Sequence, residues 1–129
     1  MATSNDGRRH VCIDRELLPE FKSYMNQSPR HKKKLAFIIE LLMGGHRNPE
    51  LYDKEEINSK CKGVTAMKLF KGQENDRIYC KEQTIAGGIF IIVAAYIHER
   101  KKTQKISQRE ITIIEKIAQY EYEIQKLQG

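Results

Sequence analysis

An α+β domain is the fold that this sequence predicts, and three observations predict it. Two stretches near the N-terminus place apolar residues at helical spacing. Three strand-like segments follow between residues 64 and 97, separated by a loop of hairpin length and a Gly87-Gly88 turn. Ser107 and Glu110 then match an S-x-x-E capping box ahead of an apolar run, which announces a last helix. The expected arrangement is a twisted antiparallel sheet with two N-terminal helices and one C-terminal helix packed on it. The helices collect on one face and cations on the other. Residues 1–129 read as a single domain, with 1–9 as a flexible lead.

Taken in order, Val11 and Ile13 alternate with polar neighbours, so His10–Asp14 reads as a short strand. Leu17, Phe21 and Tyr24 then recur at helical spacing, and Pro19 is tolerable only in the first turn of that helix. Ser28-Pro29 offers an N-cap followed by proline at the first helical position. Leu35, Ile38, Ile39 and Leu42 continue this second helix as one stripe, and Gly44-Gly45 ends it. Its first turns carry Arg30, His31, Lys32, Lys33 and Lys34, which oppose the helix dipole and read as a solvated face, with extra attraction for phosphate as the alternative. Residues 46–62 are polar and irregular. Val64–Phe70 is a strand in which Met67 and Leu69 point one way and Ala66, Lys68 and Phe70 the other. In Arg77–Lys81, Ile78 and Cys80 take one side and Arg77, Tyr79 and Lys81 the opposite one. Ile89–Ile97 is a continuous apolar run rich in β-branched residues, as a central strand buried on both faces requires. Ile113, Ile117, Tyr120, Ile124 and Leu127 repeat at helical spacing after the capping box.

With 23 basic and 17 acidic side chains the formal net charge is +6, which favours phosphate-rich partners and leaves the fold undetermined. Cys12, Cys61 and Cys80 are odd in number and far apart, as reduced thiols in a cytoplasm would be. MATSNDGRRH has no apolar core, so it is no signal peptide, and the longest apolar run is about half of a spanning helix. A cytoplasmic protein without membrane contact is expected. His10, His31, His46 and His98 form no pair with metal-ligand spacing, the carboxylates are scattered, and no phosphate-cradling glycine loop or nucleophile elbow is present. Neither a metal nor a small-molecule cofactor is therefore expected.

Cation chemistry remains. RNA can be cut without metal when the ribose 2′-hydroxyl attacks the adjacent phosphate. Such a site needs a base, donors for the added negative charge and an acid for the leaving 5′ oxygen. A lysine among other cations can serve as base, and an arginine fork suits a pentacovalent phosphate. Lys68, Arg77, His98 and Lys101 supply these types, with Lys68 or His98 in proton transfer and Arg77 and Lys101 on the phosphate. Lys71, Tyr79, Arg100, Lys102 and Lys105 are the candidate RNA-positioning residues.

Met67-Lys68-Leu69, Asp76-Arg77-Ile78-Tyr79, Ile91-Ile92-Val93, the string Lys101-Lys102-Thr103-Gln104-Lys105 and Arg109-Glu110 occur in that order. Together they resemble the RelE-type toxins of bacterial toxin–antitoxin pairs, and most closely the HigB-like branch. The order of elements matches over residues 10–125 and the motifs over 64–110. The resemblance implies a RelE-like small α+β fold and metal-free cleavage of messenger RNA on the ribosome. It also implies inhibition by a cognate antitoxin, a helix-turn-helix DNA-binding protein. Lys68 then stands at the basic residue of the first meander strand, Arg77 at the phosphate-binding arginine and Lys101 and Lys102 at the basic pair. Three positions depart from the pattern. Asp76 replaces an aromatic residue, Glu99 a phenylalanine and Ser107 a proline, at which some relatives carry a stacking tyrosine that Tyr79 or Tyr96 would replace. A ParE-like inhibitor of a DNA topoisomerase, or an inactive RNA-binding homologue of the same fold, is the alternative. A basic RNA-binding domain unrelated to toxins is a third.

Overall fold

In the computed structural model, residues 2–46, 48–55, 58–70, 76–99 and 107–122 are described. Among them, the elements run β1 (Ala2–Thr3), β2 (Arg9–Ile13), α1 (Leu18–Met25), α2 (Pro29–Met43), β3 (Tyr52–Lys54), a 3-10 turn (Ser59–Cys61), β4 (Val64–Lys68), β5 (Arg77–Ile85), β6 (Ile89–His98) and α3 (Gln108–Ala118). The strands form one sheet in the order β1-β2-β6-β5-β4-β3. The chain is α+β, as expected, but the sheet is mixed: β2 runs parallel to β6, with Val11 opposite Ile92. That pairing follows from topology, because α1 and α2 carry the chain away between β2 and the meander.

Local chemistry sets the helix ends. Pro19 lies in the first turn of α1, and Pro29 follows the N-cap Ser28 at the start of α2. The Ser28 hydroxyl shares a 2.8 Å hydrogen bond with His31 Nδ1 instead of capping a backbone N–H. At the other end of α2, Gly45 N–H donates to the Leu42 carbonyl and His46 N–H to that of Leu41, with Gly45 at φ +78°. This paired closure needs a left-handed residue, which glycine adopts without a Cβ penalty. The left-handed position is Gly45, while Gly44 remains helical at φ −79°.

The helices do not share one face. α1 and α2 bury Phe21, Tyr24, Leu35, Ile38 and Leu42 against Met67, Ile78, Cys80, Ile92 and Ala94. α3 crosses the opposite face, where Ile114 and Ile117 pack on Cys61, Val64, Ala66 and Tyr79. The face expected to be an open cationic surface is therefore largely a second core. A helix of 11 residues is marginal alone. Complete burial of Ile114 and Ile117 contributes about 1.5–3 kcal/mol each, so docking rather than propensity holds α3.

The apolar run expected to be a central strand is β6, which lies between β2 and β5. A bulge shifts its register: Tyr79 pairs with Tyr96 but Cys80 with Ala94. Ala95 and Tyr96 consequently both face α3, and Ile97 returns to the larger core. Phe70 lies beyond the end of β4 and joins that larger core too, not the Lys68 side that strict alternation assigned to it. Two short strands were not expected. β1 pairs with β2 inside the lead that read as flexible, and β3 pairs with β4 inside the segment that read as irregular. Among the described residues, no helix is long and apolar enough to cross a membrane.

Candidate functional site

Strand register aligns three of the expected residues. Lys68 on β4 pairs with Arg77 on β5, and Arg77 pairs with His98 on β6. Directly opposed residues of antiparallel strands share a face, with Cβ atoms about 4.5–5.5 Å apart. Lys68, Arg77 and His98 thus form one row across three adjacent strands, at the end where β4 and β6 stop and β5 begins. The next row inward on the same face is Ala66, Tyr79 and Tyr96, beside the docked α3.

Arg77 is half-buried, and its Nε and Nη1 atoms are fully buried with no hydrogen-bond partner among the described residues. Its neighbour Lys68 carries the same charge, and like charges directly opposed on a sheet destabilise it. Lys68 Nζ donates to the Pro49 carbonyl at 3.1 Å, which fixes the ammonium beside the loop that precedes β3. A row of cations with a guanidinium fork suits phosphate oxygens, and the buried Nε and Nη1 reach an anion only when the Arg77 side chain shifts outward.

The third member of the row faces a carboxylate. His98 Nε2 lies 3.9 Å from Glu110 Oε1, within ion-pair range for a protonated imidazole and too long for a hydrogen bond. Glu110 is buried and multiply held. Its Oε2 accepts from the Tyr79 hydroxyl at 3.1 Å, and its Oε1 accepts from the Ser107 hydroxyl at 3.3 Å. Ser107 Oγ in turn accepts from the Glu110 N–H at 3.2 Å, closing the expected capping box. Glu110 is the residue that sequence reasoning missed as part of the site. The S-x-x-E pattern accounted for it fully as a cap, and nothing in the pattern says that the helix would dock its first turn onto the cationic row.

The remaining expected residues divide. Tyr79 is not available to stack on a base: it is wholly buried beneath α3, bonded to Glu110 and stacked on Tyr96 with ring centroids 6.4 Å apart. Burial first, then the Glu110 charge, push its phenol far above the ordinary tyrosine range. Lys71, Arg100, Lys101, Lys102 and Lys105 lie outside the described residues.

The three departures from the toxin pattern have structural partners. Asp76 is buried on the α1 side, where its Oδ2 accepts from the Tyr24 hydroxyl at 2.6 Å. Glu99 accepts from Gln27 Nε2 at 3.2 Å, beside the α1–α2 connection. Ser107 caps α3. Asp76 and Glu99 directly follow or precede members of the row, so strand alternation turns both away from it. Their carboxylates bond to Tyr24 and Gln27 on the α1 side instead of facing the cationic row. The cleft lined by Cys12, Asp14, Tyr120 and Tyr122, about 640 Å³, lies at β2 and contains none of the row.

Comparisons with protein-family models, with curated proteins and with solved structures give no match to this chain.

Proposed function

We propose that the chain is a toxin of the RelE type, of the HigB-like branch: a metal-independent, ribosome-dependent messenger-RNA endoribonuclease held in check by a cognate antitoxin. One observation carries the reading. Lys68, Arg77 and His98 form a single row across β4, β5 and β6, and the two buried Arg77 donors lack an acceptor among the described residues. The row supplies the residue types that a 2′-hydroxyl attack needs. Arg77 receives the non-bridging oxygens of the scissile phosphate as charge accumulates on them, and Lys68 adds a second positive charge beside it. His98 exchanges the proton with the 2′-hydroxyl or the 5′ oxygen. Glu110 Oε1, 3.9 Å from its Nε2, sets a carboxylate beside the imidazole. The toxin resemblance also assigns Lys101 and Lys102 to the phosphate, and both lie outside the described residues.

Induction in bacteria tests this reading. Growth arrest with cleaved transcripts is expected, and Arg77→Ala should abolish both while the protein stays folded. Uncut transcripts with normal growth, in cells that hold the folded protein, overturn it.

A second reading, a binding protein of the same fold such as a ParE-like topoisomerase inhibitor, is favoured by a different observation. α3 covers most of the face inward of the row and takes Tyr79 out of reach of any base. It entails toxicity without RNA cleavage, and the same induction experiment separates the two.

A further inference from the structure

We infer that the outer face of α2 is a second nucleic-acid site, which takes a short single-stranded segment of RNA by stacking a base on Phe37 and holding its phosphates on Lys33, Lys34 and Arg30. Four observations lead there. A groove of about 570 Å³ is lined by Pro29, Arg30, Lys33, Lys34, Phe37 and Phe70. Among the described residues, three of the six that line the groove are cations and none is acidic, which suits it to a polyanion. Phe37 is 50% exposed, in a chain whose other described phenylalanines are buried or partly buried. Arg30 Cζ lies over the Phe70 ring, 4.0 Å from its centroid, which places the guanidinium at the groove wall.

The kind of lining decides between nucleic acid and a protein helix. An amphipathic helix needs a series of aliphatic anchors in a continuous hydrophobic groove. Among its described residues this groove offers one exposed ring, one ring beside a guanidinium, a proline and no aliphatic side chain. An aromatic face set among closely spaced cations is the arrangement that stacks bases while following a phosphate backbone. The spacing agrees: Lys33 and Phe37 are four residues apart on α2 and so adjacent on its surface. The groove also lies at the same end of the sheet as Lys68, Arg77 and His98. Phe70 follows Lys68 by two residues, and Gln27, just ahead of α2, bonds Glu99, the neighbour of His98. The row and α2 lie on opposite faces, so an RNA strand that passes from one to the other rounds that end of the sheet. The inference extends the proposed nuclease reading and does not depend on cleavage.

Fluorescence anisotropy with the intact protein and a labelled single-stranded RNA of about 10 nucleotides tests it, within the site sizes common for single-strand binders. Phe37→Ala should weaken binding about tenfold, as loss of one stacked base does. Lys33→Glu with Lys34→Glu should lower the slope of log affinity against log salt by about 1.4, or about 0.7 per phosphate on a single strand. Arg77→Ala should keep the Phe37-dependent tenfold difference, which separates this site from the row. Should the chain prove not to cut RNA, that difference remains the readout. Phe37 is exposed and alanine is a strong helix former, so this variant is expected to fold, and circular dichroism confirms it. Wild-type affinity and salt slope in both folded variants overturn the inference. So does displacement by an acidic helical peptide through the Phe37 groove without any effect of these variants on RNA.

Discussion

Arg77 destabilises the folded chain by the measure of its described surroundings. Two buried guanidinium nitrogens without acceptors carry a penalty of about 1–3 kcal/mol each. The opposed Lys68 ammonium adds repulsion. A structural arginine would show the reverse, with its donors filled and its charge countered. Arg77→Leu keeps the bulk and removes the orphaned donors. It should leave the urea midpoint unchanged or raised, while cleavage falls about 10²–10³-fold, as it does when a donor to developing negative charge is lost. A loss of more than about 2 kcal/mol in stability would assign Arg77 to the scaffold instead. The tyrosines give a second residue-scale test. Burial first, and then nearby carboxylates, raise the phenols of Tyr52, Tyr79 and Tyr122 far above the ordinary range. Their folded values exceed the unfolded value of about 10, so their contribution to stability is whole below that pH. As pH rises beyond it, the unfolded chain releases protons that the folded chain keeps, and stability falls. Tyrosinate absorbance should stay short of the full value for six tyrosines until the protein unfolds, then jump with the transition. A smooth titration of all six near pH 10, with the fold intact, would contradict the buried hydroxyl network.

At the scale of the element, α3 carries the most consequence. Its start was readable because a capping box is local: Ser107 and Glu110 satisfy each other within one turn. Its placement was not readable. The periodic stripe Ile113, Ile117, Tyr120, Ile124 and Leu127 specifies an apolar face but not which side of the sheet receives it. α3 ends at Ala118, before Tyr120, and Ile124 and Leu127 lie outside the described residues, while Ile114, fully buried beside Ile117, lies off that stripe. α2 was legible at both ends, since Ser28-Pro29 and Gly44-Gly45 act on their own backbone. β3 was not, because a strand of three residues with one buried side chain has no period to detect. The double duty of Glu110 makes a quantitative claim. Ser107→Ala removes a cap, which is worth about 1 kcal/mol. Glu110→Ala should cost more, by about 1–3 kcal/mol, because it also leaves the buried Tyr79 hydroxyl without this acceptor. The double variant should fall short of the sum, since both act through one network. Chemical denaturation of the three variants measures this. Equal losses from the two single substitutions would mean that the Tyr79–Glu110 bond contributes nothing.

For the whole molecule, the sheet order converts sequence-distant cations into neighbours. β6 lies between β2 and β5, and the β4-β5-β6 meander carries Lys68, Arg77 and His98 into register although they span residues 68 to 98. The alternation of Met67, Lys68 and Leu69 and of Arg77, Ile78 and Tyr79 made the shared face of Lys68 and Arg77 legible in advance. What lay over that face was not legible, because burial of Ala66 and Tyr79 depends on a helix more than 25 residues away in sequence. The same limit applied to Asp76 and Glu99. As residues in a row of letters they dilute a basic patch; in the folded chain their partners are Tyr24 and Gln27, on the other side. The most direct test of the nuclease reading is the chemistry of the RNA ends made on translating ribosomes by the wild-type chain and by Arg77→Ala. Attack by the 2′-hydroxyl leaves a 2′,3′-cyclic phosphate on one fragment and a free 5′-hydroxyl on the other. Those ends from the wild type, and none from Arg77→Ala, are expected; intact message, or fragments with 5′-phosphates, would contradict it.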